Sequence, residues 1–277
     1  MAKQDSIGSF LEILELYYRA HGRSDMLWRQ PESDGTHEPY KILVSELMLQ
    51  QTQVARVTPK FSAFIDIFPD VAALAKAQLG DVLKLWSGLG YNRRAKFLWQ
   101  SARYIVDNYS GTFPSTQKEL LRLPGVGPNT AGAILAYTYD HPTIYIETNI
   151  RTVIIHHFFQ DRTGIADADI REVMEKILGQ LDDLTPREFY WALMDYGSHL
   201  KSTVGNLNKA SKSYAKQSAF AGSRRQLRGQ IIRLLSVGSY SFAELLIVLD
   251  DDRAESVLID LESDQLIRRD NNILMLA

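Results

Sequence analysis

The stretch from Leu120 to Asn149, LLRLPGVGPNTAGAILAYTYDHPTIYIETN, constrains the fold most, because two glycines and two prolines fall within the five residues Pro124 to Pro128. It predicts a helix ending at Leu123, a tight turn over Pro124-Gly125-Val126-Gly127, and a second helix opening at Pro128. Glycine accepts a positive φ and lets the backbone approach another surface closely. Proline at the first helical position gives up no intrahelical bond. The N–H groups of a helix that opens on such a turn point outward unpaired, a seat for an anion such as phosphate. Twenty residues after Gly127, Glu147 is a lone acid in an apolar and otherwise uncharged run. A phosphate seat followed by an isolated carboxylate points to chemistry on a phosphate-bearing polymer.

A chain of 277 residues has room for one large core or for two or three smaller ones. Its 45% hydrophobic content is that of a folded protein. The net charge of −2 gives no general attraction to a polyanion, so any such contact needs a local concentration of bases. With no cysteine, disulfides, thiolate metal sites and cysteine nucleophiles are excluded together. No apolar run is long enough to cross a bilayer. The N-terminal segment is amphipathic rather than a signal peptide's apolar block. A soluble, cytoplasmic protein is expected, nucleoid-associated in a prokaryote, with no membrane partner.

Phe10, Leu11, Leu14, Tyr17 and Tyr18 recur at helical spacing. A polar, turn-rich loop precedes a second helix from Tyr40 to Gln53. In it Glu46 falls among Ile42, Leu43, Leu47 and Leu49, either facing solvent or partly desolvated with a raised pKa. Helical patterns from Val57 to Ala77 are broken by Pro59 and Pro69. Two helices then flank Ser87-Gly88-Leu89-Gly90, the second carrying Arg93, Arg94, Lys96 and Arg103. Further helices are expected over Asn149–Phe159, Ile170–Leu181 and Pro186–Leu200, and no strand pattern precedes residue 230. The body reads as all-α.

From Tyr196 to Ala243 there is no acid, while Lys201, Lys209, Lys212, Lys216, Arg224, Arg225, Arg228 and Arg233 accumulate. Such a stripe is either a solvated linker or a polyanion contact. The last residues, 226–277, predict three helices and a hairpin across Asp270-Asn271-Asn272, the order of a winged helix. Its third helix carries, in or around it, Asp250, Asp251, Asp252, Glu255, Asp260, Glu262 and Asp264, which phosphate would repel. This α+β module is expected to pack on the body or to bind a protein partner rather than read DNA.

LPGVGPNTAGAIL resembles the helix-hairpin-helix of the endonuclease III superfamily of DNA glycosylases. SELMLQQTQV, LWSGLGYNRRA and FYWALMDYG are similar to segments of its A/G-specific adenine DNA glycosylase branch, in order from about Met26 to Gly197. The resemblance implies two helical lobes with double-stranded DNA in the cleft between them. Residues 1–40 and 142–222 form one, and residues 41–141 a six-helix barrel. It implies a monomer that hydrolyses the bond between a mispaired adenine and deoxyribose, opposite 8-oxoguanine or guanine, after the nucleotide leaves the stack.

Cleaving that bond takes a proton for the departing base and a negative charge beside the cationic sugar. Glu46 matches the family's catalytic glutamate, which protonates adenine at N7; read alone, it is an exposed or capping carboxylate. Glu147 stands where the family has aspartate, with Asn149 matching an asparagine that holds the carboxylate. A glutamate there serves the cation, marks a weakened or retargeted site, or simply complements a helix N-terminus. Asn129 stands where bifunctional relatives carry a lysine nucleophile, which predicts base excision without strand cleavage. Gln51 and Tyr91, with Thr52 and Leu89, match positions that enter the duplex. Trp28, Arg29 and Asp195 match the adenine pocket. Gly125, Val126 and Gly127 would present N–H groups to phosphate, alongside a monovalent cation held by the hairpin backbone, and Lys209 and Lys212 would add charge. Relatives carry four cysteines for an iron–sulfur cluster where this chain has HLKSTVGNLNKASKSYAKQSA, so no cofactor is expected. Two rival functions stay open: a glycosylase for thymine or uracil opposite guanine or for a modified purine, and a non-catalytic DNA-binding adaptor.

Overall fold

The computed structural model describes residues 6–277. Its helices are α1 (Ile7–His21), α2 (Pro39–Leu49), α3 (Val54–Ile67), α4 (Val71–Lys76), α5 (Leu79–Trp86), α6 (Arg93–Tyr109) and α7 (Gln117–Leu120). They continue as α8 (Pro128–Tyr139), α9 (Thr148–Phe158), α10 (Asp167–Leu178), α11 (Pro186–Thr203) and α12 (Arg224–Val237). The chain ends with β1 (Tyr240–Ser241), α13 (Phe242–Leu249), α14 (Ala254–Ser263), β2 (Ile267–Asp270) and β3 (Ile273–Leu276). Before Tyr240 the described residues pair as strand only in an isolated bridge between Ile165 and Ser211. The body is all-α, as its 3.6-residue periodicity implied.

Two compact units divide the chain. The first takes the residues up to Ile42, Ser115–Leu121 and Val126–Lys216. Its centre is α9 against α11, with α1 and α8 on α11 and α10 on α9. Ile150, Val153 and Ile154 of α9 and Phe189, Tyr190 and Leu193 of α11 are buried there, as are Phe10 and Leu14 of α1. The two central helices come close enough that a Cβ on Gly197 would sit 2.5 Å from the Asn149 carbonyl oxygen. The Asn149 carbonyl, and the Asn149 Cβ at 2.7 Å, are not flexible side-chain tips, so the helices would have to part. Gly197→Ala is expected to cost about 1–3 kcal/mol, the usual penalty for overpacking, read as a lower urea midpoint at unchanged slope.

The second unit takes Leu43–Pro114, Arg122–Gly125 and Gln217–Ala277. Here α6 packs on α4 and α5, and α3 packs on α5, with Trp86 and Phe64 fully buried and their ring centroids 6.2 Å apart. The terminal residues fold as a winged-helix-like module: α12 and α14 pack together beside an antiparallel sheet of order β1-β3-β2. Ser241 caps α13 reciprocally with Glu244, and Asn271 and Asn272 turn the hairpin at φ 45° and 68°. Within its unit the module rests on α5 and α6. Gly80 of α5 leaves room for the chain end, a Cβ there falling 3.1 Å from the Ala277 carbonyl oxygen. Lys96 of α6 donates to the Asp264 carbonyl at 2.7 Å and to Gln265 Oε1 at 3.0 Å. The module packs on the body, as its acidic third helix suggested.

Several boundaries differ from the sequence reading. Helix α2 stops at Leu49, four residues before Gln53, because a buried side chain takes over its last carbonyls, as described below. Helix α3 runs through Pro59, which forfeits one backbone bond while Val57, Phe61 and Phe64 are all buried. Helix α7 ends at Leu120 rather than Leu123; the residue before Pro124 is disfavoured in helix. A third strand, β1, has two residues, too few to show a period.

Candidate functional site

In the hairpin turn Gly125 adopts φ 78°, and a Cβ there would come within 2.6 Å of Phe97 Cβ. This glycine satisfies a positive φ and a close approach together. Gly127 has φ −91° and open space around it; its part is to precede Pro128, the first residue of α8, without a side-chain cap. Val126 is buried. The α8 N-terminus therefore opens on a turn that brings no side chain of its own to the N–H groups.

In the first unit, Asn129 in the first turn of α8 fixes the segment before α9. Its Nδ2 donates to the Ile146 carbonyl at 2.8 Å, and its Oδ1 accepts the Ile146 N–H at 3.4 Å. The next residue, Glu147, is the N-cap of α9, its Oε1 accepting the N–H groups of Asn149 at 2.6 Å and Ile150 at 3.0 Å. Burial pushes the Glu147 carboxyl above the ordinary glutamate range, against the opposing pull of those N–H groups and of Arg151. The capping role that the sequence left open for this side chain is present. The expected Asn149 bond exists, but through the backbone: the Asn149 amide instead approaches Met194 Sδ at 3.9 Å.

Arg29 and Asp195 meet in the same unit. Arg29 Nη1 and Nη2 bind the two Asp195 oxygens at 2.8 and 2.9 Å, a bidentate fork in which both side chains are almost wholly buried. Arg23, which the sequence did not single out, adds its Nε at 2.7 Å and its backbone N–H at 2.8 Å. Burial alone would raise the Asp195 pKa, but the bonds and charges of Arg29 and Arg23 outweigh it and hold the carboxyl below its usual range. Trp28 is buried next to Arg29 in the short Leu27–Arg29 turn, and Trp191 lies 5.3 Å from the Arg29 guanidinium.

In the second unit, Glu46 lies half-buried on α2, three residues before the helix ends. Gln51 and Tyr91 follow in two loops, at φ 54° and 48°, values uncommon for residues other than glycine. Tyr91 Oη donates to Gln51 Oε1 at 2.6 Å. Both loops are held from behind by Arg94, one of the four bases that the sequence places on α6. It is buried, and its Nη1 donates to the carbonyls of Leu47 at 2.6 Å, Met48 at 3.0 Å and Gln50 at 2.6 Å. Its Nη2 reaches the carbonyls of Leu89 at 3.2 Å and Gly90 at 3.0 Å, and Thr52 Oγ1 at 3.2 Å. Burial lowers its pKa to about 10, so it stays charged at neutral pH. Leu89 is buried and Thr52 half-buried, so of the four positions that the resemblance takes into the duplex it is Gln51 and Tyr91 that stand exposed.

Lys209 and Lys212 are exposed on the basic segment after α11. That segment has no cysteine, so a thiolate-held cluster does not fit it. It is tied down by hydrogen bonds as well as by packing. Buried Asn208 donates to Thr152 Oγ1 at 2.7 Å and to the Thr148 carbonyl at 3.2 Å on α9, and Lys212 N–H meets the Ile165 carbonyl at 2.9 Å. Asparagine at 208 gave no signal in the sequence, since its partners lie on another helix.

A family model described as HhH-GPD superfamily base excision DNA repair protein matches residues 44–190. The chain belongs to this superfamily. It is 34% identical over 276 residues to the adenine DNA glycosylase of Mycolicibacterium smegmatis, covering 90% of each chain. To that of Buchnera aphidicola subsp. Baizongia pistaciae it is 32% identical over 222 residues, 76% of this chain and 60% of that one. Against two further Buchnera relatives it spans 53% of their length. Among solved structures, a thermostable thymine-DNA glycosylase has the same fold, with TM-score 0.59 at 23% identity over 69% of this chain and 86% of that one. No helix among the described residues is long and apolar enough to cross a membrane.

Proposed function

We propose that the protein is a monofunctional DNA glycosylase that extrudes and hydrolytically removes mispaired adenine from double-stranded DNA. The observation that carries this reading is the 34% identity across 90% of both chains with the M. smegmatis adenine DNA glycosylase, taken with Glu46 inside SELMLQQTQV. Glu46 is the proton donor to the departing base. Glu147 lends its charge to the sugar cation, fixed by the α9 N–H groups and by the Asn129 grip on Ile146. Asn129 supplies no amine for a Schiff base, so the strand stays intact until treated with alkali. The hairpin N–H groups and the basic 201–216 segment hold phosphates, and no iron–sulfur cluster takes part. The Arg23–Arg29–Asp195 network braces the base pocket, its polar atoms being spent on each other. A second reading, a different target base, draws on Asn129 and on Glu147, whose extra methylene carries the charge further along the side chain than the family's aspartate does.

Single-turnover reactions on duplexes with adenine, thymine, uracil or a methylated purine in the target position test this directly. Adenine release with alkali-dependent breakage is expected; breakage without alkali, or release of another base alone, contradicts it. The pH dependence has a definite sign. Glu147 must be ionised to face a cation, and burial raises its pKa, so release falls with acidification at a pH above the ordinary glutamate value. The same raised pKa means the ionised form costs stability as pH climbs past the unfolded-state value. Glu147→Asp is expected to move this acid limb; a limb identical in both proteins would assign it to another group.

A further inference from the structure

In the first unit, the polar loop over residues 30–38 ends on a buried histidine, His37, 9% exposed. The loop closes on itself and so carries this residue back toward Arg29. The Glu32 N–H donates to the Thr36 carbonyl at 2.8 Å, Gly35 turns at φ 81°, and Lys41 Nζ pairs with Glu32 at 2.5 Å. His37 Nε2 then lies 3.2 Å from the Arg29 carbonyl oxygen. A carbonyl only accepts, so the imidazole proton sits on Nε2 and Nδ1 keeps a lone pair. That Nδ1 is buried and has no partner among the described residues. Burial, then the charge of Arg187, lowers the His37 pKa against the pull of the Arg29 carbonyl, Asp140 and Glu32. The ring is therefore neutral at neutral pH.

A buried acceptor without a donor is a cost that an apolar ring at this place would avoid. What the imidazole does that such a ring cannot is donate to Arg29. That carbonyl belongs to the last residue of the Leu27–Arg29 turn, where a short helix has no donor of its own. Arg29 is thus held at both ends, its carbonyl by His37 and its guanidinium by Asp195. Trp191 stands beside both. Its ring lies 5.3 Å from the His37 ring, 5.3 Å from the Arg29 guanidinium and 5.9 Å from Tyr137, on which it stacks. One imidazole therefore fixes the backbone of the turn that carries Trp28 and borders the indole that borders Arg29.

We propose that His37 is a positioning residue for base excision, holding the Trp28–Arg29 turn and the Trp191 ring as the seat of the extruded base. The inference rests on the proposed function for taking Trp28 and Arg29 as part of that seat. A base seated slightly out of place loses its alignment with the groups that act on it, and rate falls far more than stability does. Contacts of the protein with the rest of the duplex do not pass through His37.

Two substitutions in the full chain separate positioning from packing. Glutamine places an amide nitrogen near the position of Nε2 and can donate to Arg29, but gives up the ring beside Trp191. Phenylalanine keeps a ring and donates nothing. In thermal melting His37→Phe is expected to stay closer to the parent than His37→Gln does. Single-turnover release of adenine opposite guanine is expected in the reverse order. His37→Phe should be about tenfold or more slower, and His37→Gln within about threefold of the parent. Duplex Kd should stay within about threefold in both. A packing role would make release follow the melting order, and that result overturns the proposal, as does undiminished release by His37→Phe. Long-range proton–nitrogen spectra of the native chain are read beside the kinetics. They are expected to show neutral His37 protonated at Nε2; a proton on Nδ1 instead removes the bond to Arg29 and the proposal with it. Release by the native chain that His37→Phe leaves intact removes the positioning role alone, whereas no release by the native chain removes the proposed function and this role together.

Discussion

Glu46→Gln is expected to cut single-turnover adenine release by about 10²–10⁴-fold, the usual worth of a positioned general acid, while duplex affinity changes by less than about threefold. That loss corresponds to about 3–5 kcal/mol of barrier. Glutamine keeps the size of the side chain and its place on α2 but cannot deliver a proton to a purine nitrogen. The two readouts must separate. If release and affinity fell together, Glu46 would be holding DNA or the fold rather than protonating the base. If neither moved, the departing adenine would take its proton elsewhere. An adaptor without catalysis would show no release in either protein.

Arg94→Met is expected to destabilise the protein by about 3 kcal/mol or more, measured by urea unfolding. Bonds from a charged donor are worth about 1.5–3 kcal/mol each, and the carbonyls left behind are buried. Methionine retains most of the stem's packing against Trp86 and Tyr91, whose ring centroids lie 5.5 and 5.3 Å from the guanidinium, so the loss reports on the head group. Lysine, a compact ammonium without the planar fork, should recover less than half. The variant is also expected to weaken duplex binding, because Arg94 joins the end of α2 to the Gln51 loop and the Tyr91 loop. Stability within about 0.5 kcal/mol of the parent would contradict this, that being the range of a surface substitution.

What the sequence revealed and what it concealed divide along a physical line. Features set by neighbours in the chain were legible. Pro128 opens α8, Ser241 caps α13, Asn271 and Asn272 turn a hairpin, and Phe10 and Leu14 face inward at helical spacing. Features set by a distant partner were not. Arg94 reads as one of several bases on a helix until α2 places three carbonyls beneath it. Pro59 reads as a break until the burial of Val57, Phe61 and Phe64 outweighs the lost bond. Tyr91 takes hydrogen bonds from Gln217 and Arg225, more than a hundred residues away in the chain. The candidate catalytic residues fall on both sides of this line. Glu46 and Glu147 stood out as acids in apolar runs, whereas the role of Asn129 as the clamp on Ile146 needed coordinates.

Free adenine, quantified by chromatography from a duplex with one adenine opposite guanine or 8-oxoguanine, under single-turnover conditions, is the most direct measure of the proposed base excision. Stoichiometric release is expected from the native chain, with severe loss in Glu46→Gln and a shifted acid limb in Glu147→Asp. No adenine from any mispaired duplex, or undiminished release by Glu46→Gln, would contradict it.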